Sequence, residues 1–196
     1  MSDYLLSVSQ KKDILKNMRE IDMHKELVIL FEKMYGPKTK VHNTHGSNEF
    51  GRDIIICQPD PIKDINTAVV VKMDKLSGQS LDKPILDIIG QVQQCFEIDI
   101  KAKDSFSKIS IDKVFIIVMG EISNNAAINL DAKLTAYKDR YTKLDINDML
   151  DYFDNYYPEI FYGASGAHVL NKRYEQIEQA LREKSIITQT VLLNPI

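Results

Sequence analysis

The stretch NTAVVVKMDK, residues 66–75, holds the apolar run Ala68–Val71, closed by Lys72 and a polar tail. A short β-branched run between turn residues predicts a strand over Thr67–Met73. Immediately upstream, HGSNEFGRDIII, residues 45–56, is a glycine-containing turn that feeds a second apolar run, predicting a strand over Asp53–Cys57. Between the two lies QPDPIKDIN, residues 58–66, whose proline, aspartate and asparagine residues are turn formers. The pair therefore reads as an antiparallel hairpin. Counting outward from a centre near residue 62 sets Asp53 opposite Val71, within a residue or two, and so beside Lys72. Alternation along the strand gives Val70 and Lys72 one face and Val71 the other.

Helices surround this hairpin in the pattern. Leu27, Leu30, Phe31 and Met34 recur at helical spacing, with Asp22 as the expected N-cap and Gly36–Pro37 as the stop. Residues 1–21 read as a polar extension with a short helix over Lys11–Arg19, and a short strand is expected near Thr39–His42. Pro84 opens a helix whose stripe is Ile85, Ile88, Ile89, Val92 and Phe96. VFIIVMG, residues 114–120, is apolar throughout, as a strand covered on both faces should be. SNNAAINLDAKL reads as a helix, Arg140–Leu144 as a strand, and Ile146–Tyr157 as a helix ended by Pro158. A hairpin followed by helical crossovers predicts an α/β fold with a mixed sheet flanked by helices, in the order αβββαβαβ. After a linker at YGASGAH, Leu170, Tyr174, Ile177 and Leu181 form a narrow stripe. It suits a helix packed on its own domain or on another chain.

The chain has 196 residues, of which 44% are hydrophobic and 27% charged, which suits one globular core with an appendage. No apolar stretch nears the ~20 residues of a membrane span, and MSDYLLSVSQKK lacks a signal-peptide layout, so a cytoplasmic protein without membrane contact is expected. Cys57 and Cys95 both lie in apolar patterns and read as buried thiols of a reducing compartment. A net charge of −3 gives no global nucleic-acid signal, although residues 101–113 are lysine-rich and residues 144–159 acidic. No phosphate-binding loop and no nucleophile elbow occur. His42 and His45 invite a zinc reading, but no third ligand accompanies them.

A carboxylate beside a lysine at a sheet edge has a known chemical use. The carboxylate holds a divalent cation, and the lysine steadies the charge that develops on a phosphoryl group. KELVILFEKMYG, THGSNEFGRDIII, AVVVKMDKLSG, ILDIIGQVQQCF and VFIIVMGEIS resemble, in order and spacing, the restriction-endonuclease-like nucleases of the PD-(D/E)xK superfamily, and most of all the Mrr-type branch. The resemblance runs from about Asp22 to Tyr157. It implies a restriction-endonuclease-like domain over residues 22–160, an N-terminal extension over 1–21 and a C-terminal helical extension over 161–196.

It further implies Glu26, Asp53, Lys72 and Gln91 as catalytic residues, and Mg²⁺ or Mn²⁺ held by Asp53, the Val71 carbonyl and Glu26. The implied substrate is DNA. The implied setting is an effector of bacterial anti-phage defence or a restriction-type machine, controlled by a protein partner or by self-association through the C-terminal helix. Glu26 borders the apolar face of its helix, either reaching the sheet edge or facing solvent. The family has an acid or glutamine two residues before the lysine, where this chain has Val70; Glu49 and Asp74 are spare acids nearby, of which Asp74 shares strand parity with Lys72 and could substitute, although it lies beyond the strand's end. That departure motivates a second reading, a nuclease fold kept as a DNA-binding or protein-interaction module.

Overall fold

The computed structural model describes residues 6–44, 51–78, 83–98, 100–101 and 108–162. They fall into two compact units, one through Tyr157 and one from Pro158 onward. Of the second unit, the described part is a short 3-10 helix over Pro158–Phe161 and the turn residue Tyr162. The stripe over residues 170–181 lies outside the described residues, as do His45 and Glu49.

The first unit is an α/β fold with a five-stranded mixed sheet flanked by helices. Its strands are β1 (Lys40–Asn43), β2 (Ile54–Gln58), β3 (Ile65–Lys72), β6 (Lys113–Val118) and β7 (Tyr141–Leu144), in that spatial order. β1, β2 and β3 pair antiparallel, whereas β3–β6 and β6–β7 are parallel. The two parallel steps are bridged by α3 (Lys83–Glu97) and α4 (Asn124–Lys133). A separate two-stranded ladder joins β4 (Ile100–Lys101) to β5 (Lys108–Ile109), within a lysine-rich segment whose pattern predicts no strand. Two-residue strands carry too little periodicity to be read in advance.

Strand alternation divides the core. Ile55, Ala68, Val70, Val114, Ile116 and Val118 are buried with Ile85, Ile88 and Val92 of α3 and with Ala126 and Leu130 of α4. The other face receives α2 (Glu20–Tyr35), as the contact of Phe31 with Phe115 shows, their ring centroids 6.3 Å apart. On that side α5 (Ile146–Tyr156) buries Met149, Leu150 and Phe153. α1 (Val8–Lys16) buries Leu15 and ties to α5 through Lys11 Nζ and Asp154 Oδ1 at 2.6 Å.

Asp22 does not cap α2 as its spacing predicts. The helix starts at Glu20 with Arg19 as an N-cap whose side chain makes no capping hydrogen bond, and Asp22 sits in the first turn bonded to the side chains of Arg19 and Lys25. Both carboxylate oxygens of Asp22 are taken by Arg19 and Lys25, and an acid in the first turn meets the positive end of the helix dipole. Fully buried Met23 shares one stripe with Leu27, Leu30 and Phe31. The helix stops at Gly36, at φ 80°, as expected.

The start of β3 is pinned by Asp112. Its Oδ2 accepts from the Asn66 N–H at 2.9 Å and its Oδ1 from Lys63 Nζ at 2.6 Å. Burial pushes this carboxyl up, but the Asn66 N–H, Lys63 and Arg140 outweigh it and hold it below its ordinary value. A depressed folded-state pKa stabilises above the unfolded value and is lost as pH falls through the folded value. Asp112→Asn should therefore lower the melting temperature at pH 7, with the gap to wild type closing toward pH 3. Thermal melts across that range measure it, and a gap independent of pH would refute the assignment.

Candidate active site

The carboxyl end of β3 is where an open α/β sheet with parallel crossovers offers its crevice. Asp53 lies one residue before β2 and brackets Val70. Its N–H donates to the Val69 carbonyl at 2.9 Å, and its Oδ2 accepts from the Val71 N–H at 2.6 Å. The carboxylate thus stands where a ladder carbonyl would otherwise accept. Turn counting sets Asp53 opposite Val71, yet the observed pairing, Ile54 with Val69, is one residue different. The cause is the loop: β2 continues through Gln58 and β3 already begins at Ile65. The shift brings Asp53 beside Val70, with Lys72 two residues further along the strand.

Lys72 is half-buried, and among the described residues its ammonium makes neither an ion pair nor a hydrogen bond. It borders two clefts. One, of about 360 Å³, is also lined by Leu86, Asp87, Gly90, Gln91 and Gln94 of α3. The other, of about 210 Å³, is also lined by Glu20, Asp74, Leu76 and Asp87 among others. Lys72 and Gln91 are therefore brought together.

Glu26 lines neither of these clefts. It sits on α2, across the sheet from α3, with a buried Oε2 that has no hydrogen-bond partner. Gln91 Oε1 is likewise buried without one. Asp53 itself is 5% exposed and lines neither cleft, and Val70 is fully buried in the core on the α3 side. His42 is exposed on β1, and Asp74 is exposed at the rim.

Among the described residues no three His, Cys, Asp or Glu side chains are grouped as metal ligands. The donors nearest one another are the Asp53 carboxylate and the end of β3; the two buried oxygens without partners, on Glu26 and Gln91, stand on different helices. Mg²⁺ is commonly held by one or two carboxylates and completed by water and substrate phosphates, and of the described residues Asp53 is the carboxylate at this strand end.

Two residues at the site carry no sequence pattern that singles them out. Glu20 reaches the Lys72 cleft because α2 starts early. Arg52, between Gly51 and Asp53, is 1% exposed and turns its guanidinium toward the end of α3. Beside it, burial pushes the Cys95 thiol up to about 12, with Arg52 acting in the opposite direction. Cys95 and the half-buried Cys57 are both free thiols.

No helix among the described residues is long and apolar enough to cross a membrane. The sequence matches no protein-family model, and comparison with curated proteins and with solved structures returns no significant match.

Proposed function

We propose that the first unit is a restriction-endonuclease-like domain that hydrolyses DNA phosphodiesters with Mg²⁺ or Mn²⁺. The observation that carries this reading is the unpaired Lys72 ammonium at the end of β3, within two residues of the position that the Asp53 carboxylate brackets. A lone ammonium lining a cleft is a receptor for an anion. Asp53, with the Val71 carbonyl, would hold the cation; when bound, the metal supplies a nucleophilic water and neutralises phosphate charge. Lys72 then stabilises the extra charge on the phosphoryl oxygens as water attacks and the bridging P–O bond breaks. Gln91, across the same cleft, orients water or phosphate through its amide. Glu26 joins this set only by resemblance to the PD-(D/E)xK nucleases. The same resemblance makes an anti-phage or restriction-type machine the proposed setting, with a protein partner or a second copy in control.

Incubation with supercoiled plasmid and Mn²⁺ or Mg²⁺ tests the reading. Cleavage should stop with chelator and fall ~10²–10³-fold in Lys72→Ala, the usual cost of removing one donor to a developing oxyanion. Unchanged cleavage in Lys72→Ala would remove the assignment.

The near-complete burial of Asp53 and the apolar Val70 favour a second reading, a nuclease-like fold that binds DNA or a protein without cutting. Calorimetric titration with Mn²⁺ separates the two: DNA binding without metal binding would favour the second.

A further inference from the structure

We propose that Arg52 is the positioning residue that holds the Asp53 carboxylate in a fixed relation to α3 and hence to Gln91; its catalytic consequence rests on the nuclease reading above. Arg52 is the largest of the fully buried side chains. Its Nη2 donates to the carbonyls of Gln94 at 3.2 Å, Cys95 at 3.1 Å and Ile98. These belong to the last turn of α3 and the residue just past it, where the helix dipole favours a cation and carbonyls run out of helical partners, although that of Gln94 also accepts from the Ile98 N–H at 3.1 Å. A buried guanidinium requires such partners, so Arg52 and the end of α3 each satisfy a need of the other.

A helix cap alone would not require the residues on either side to be fixed as well. Gly51, at φ 78°, lies so close to α3 that an added Cβ would stand 2.8 Å from Gln91 Cα and from its carbonyl oxygen. The Gly51 carbonyl accepts from Cys95 Sγ at 3.6 Å. The Arg52 carbonyl accepts from Thr44 Oγ1 at 2.7 Å, and the Asp53 carbonyl from the Thr44 N–H at 2.9 Å. Asp53 then makes its two bonds to β3, at Val69 and Val71. Three consecutive residues thus join the exit of β1, the end of β3 and the C-terminal half of α3. Of the three, Arg52 sends its side chain onto the carbonyls at the end of α3. Gln91 lies about one helical turn before Gln94, so the guanidinium sets how far the carboxylate and the amide stand apart.

Arg52→Lys and Arg52→Met, made in the full chain, test this. Lysine keeps the charge but lacks the planar fork that spans several carbonyls. Two readouts are needed: amide hydrogen exchange at Val71 and Val114, and kcat and KM for plasmid cleavage with Mn²⁺. In Arg52→Lys the Val71 amide, bonded to Asp53, should exchange about 10-fold faster while Val114 is unchanged. The kcat should fall ~10–100-fold, as for loss of a residue that orients a ligand, with KM within about twofold. Equal loss of protection at both amides, unaltered protection at Val71, or failure of both variants to fold would overturn the proposal. If the wild type cuts no DNA, the nuclease reading falls alone, and the exchange data still decide whether Arg52 positions Asp53.

Discussion

Asp53→Asn is expected to leave the fold standing and to lower DNA cleavage by at least about two orders of magnitude. Asparagine retains an oxygen where the Val71 N–H needs an acceptor, so the 2.6 Å bond that ties the turn to β3 has a replacement. What disappears is the negative charge, and with it the means of holding a divalent cation. Asp53→Ala removes both. It strands the Val71 N–H at a residue that is 1% exposed, which adds a stability cost of ~1–3 kcal/mol. Cleavage rates and melting temperatures of the two variants therefore separate charge from scaffold. Wild-type cleavage by Asp53→Asn would mean that the metal, if any, is held elsewhere.

Gly51→Ala should be among the most damaging single changes to the fold outside the apolar core. The residue occupies a left-handed conformation, φ 78°, which costs a non-glycine residue ~1–3 kcal/mol. The new methyl would also meet the Gln91 backbone at 2.8 Å, and backbone atoms cannot rotate aside as a side-chain tip can. Overpacking of this kind adds ~1–3 kcal/mol. Together these predict a loss of ~2–6 kcal/mol, or roughly 4–24 °C in melting temperature for a unit of this size. Thermal denaturation measures it directly. A drop below about 2 °C would show that the turn and α3 are not in contact.

The parts of the fold that were legible in the sequence are those whose cause is local. Ile85, Ile88, Ile89 and Val92 announce α3 because a helix must gather its apolar side chains on one face, and all four are buried. The β2–β3 hairpin was readable because turn formers stand between two β-branched runs. Its register came out one residue from the count, within the stated tolerance, because the ends of the loop depend on how far each strand keeps pairing. At the site, Lys72 and Gln91 line one cleft, and nothing in the local sequence sets Gln91 apart from Gln93 and Gln94; only the family resemblance named it. Arg52 gave no such signal. An arginine next to an aspartate looks like a solvated surface residue, and its burial depends on carbonyls more than forty positions away. Glu20 was hidden because the pattern starts α2 after Asp22, whereas the helix begins at Glu20 without a capping side chain.

The order of strands has a kinetic consequence. The Asp53–Val71 bond closes a loop of 18 residues inside one hairpin, whereas the Arg52–Cys95 bond spans 43 and needs α3 already docked. Closing longer loops costs more chain entropy, although the cost grows only slowly with length. The carboxylate therefore reaches its place on the strand by the shorter route, and the cleft opposite it is completed only when the crossover helix arrives. A nascent chain that has emerged no further than Lys72 already carries every residue of the hairpin, but none of α3.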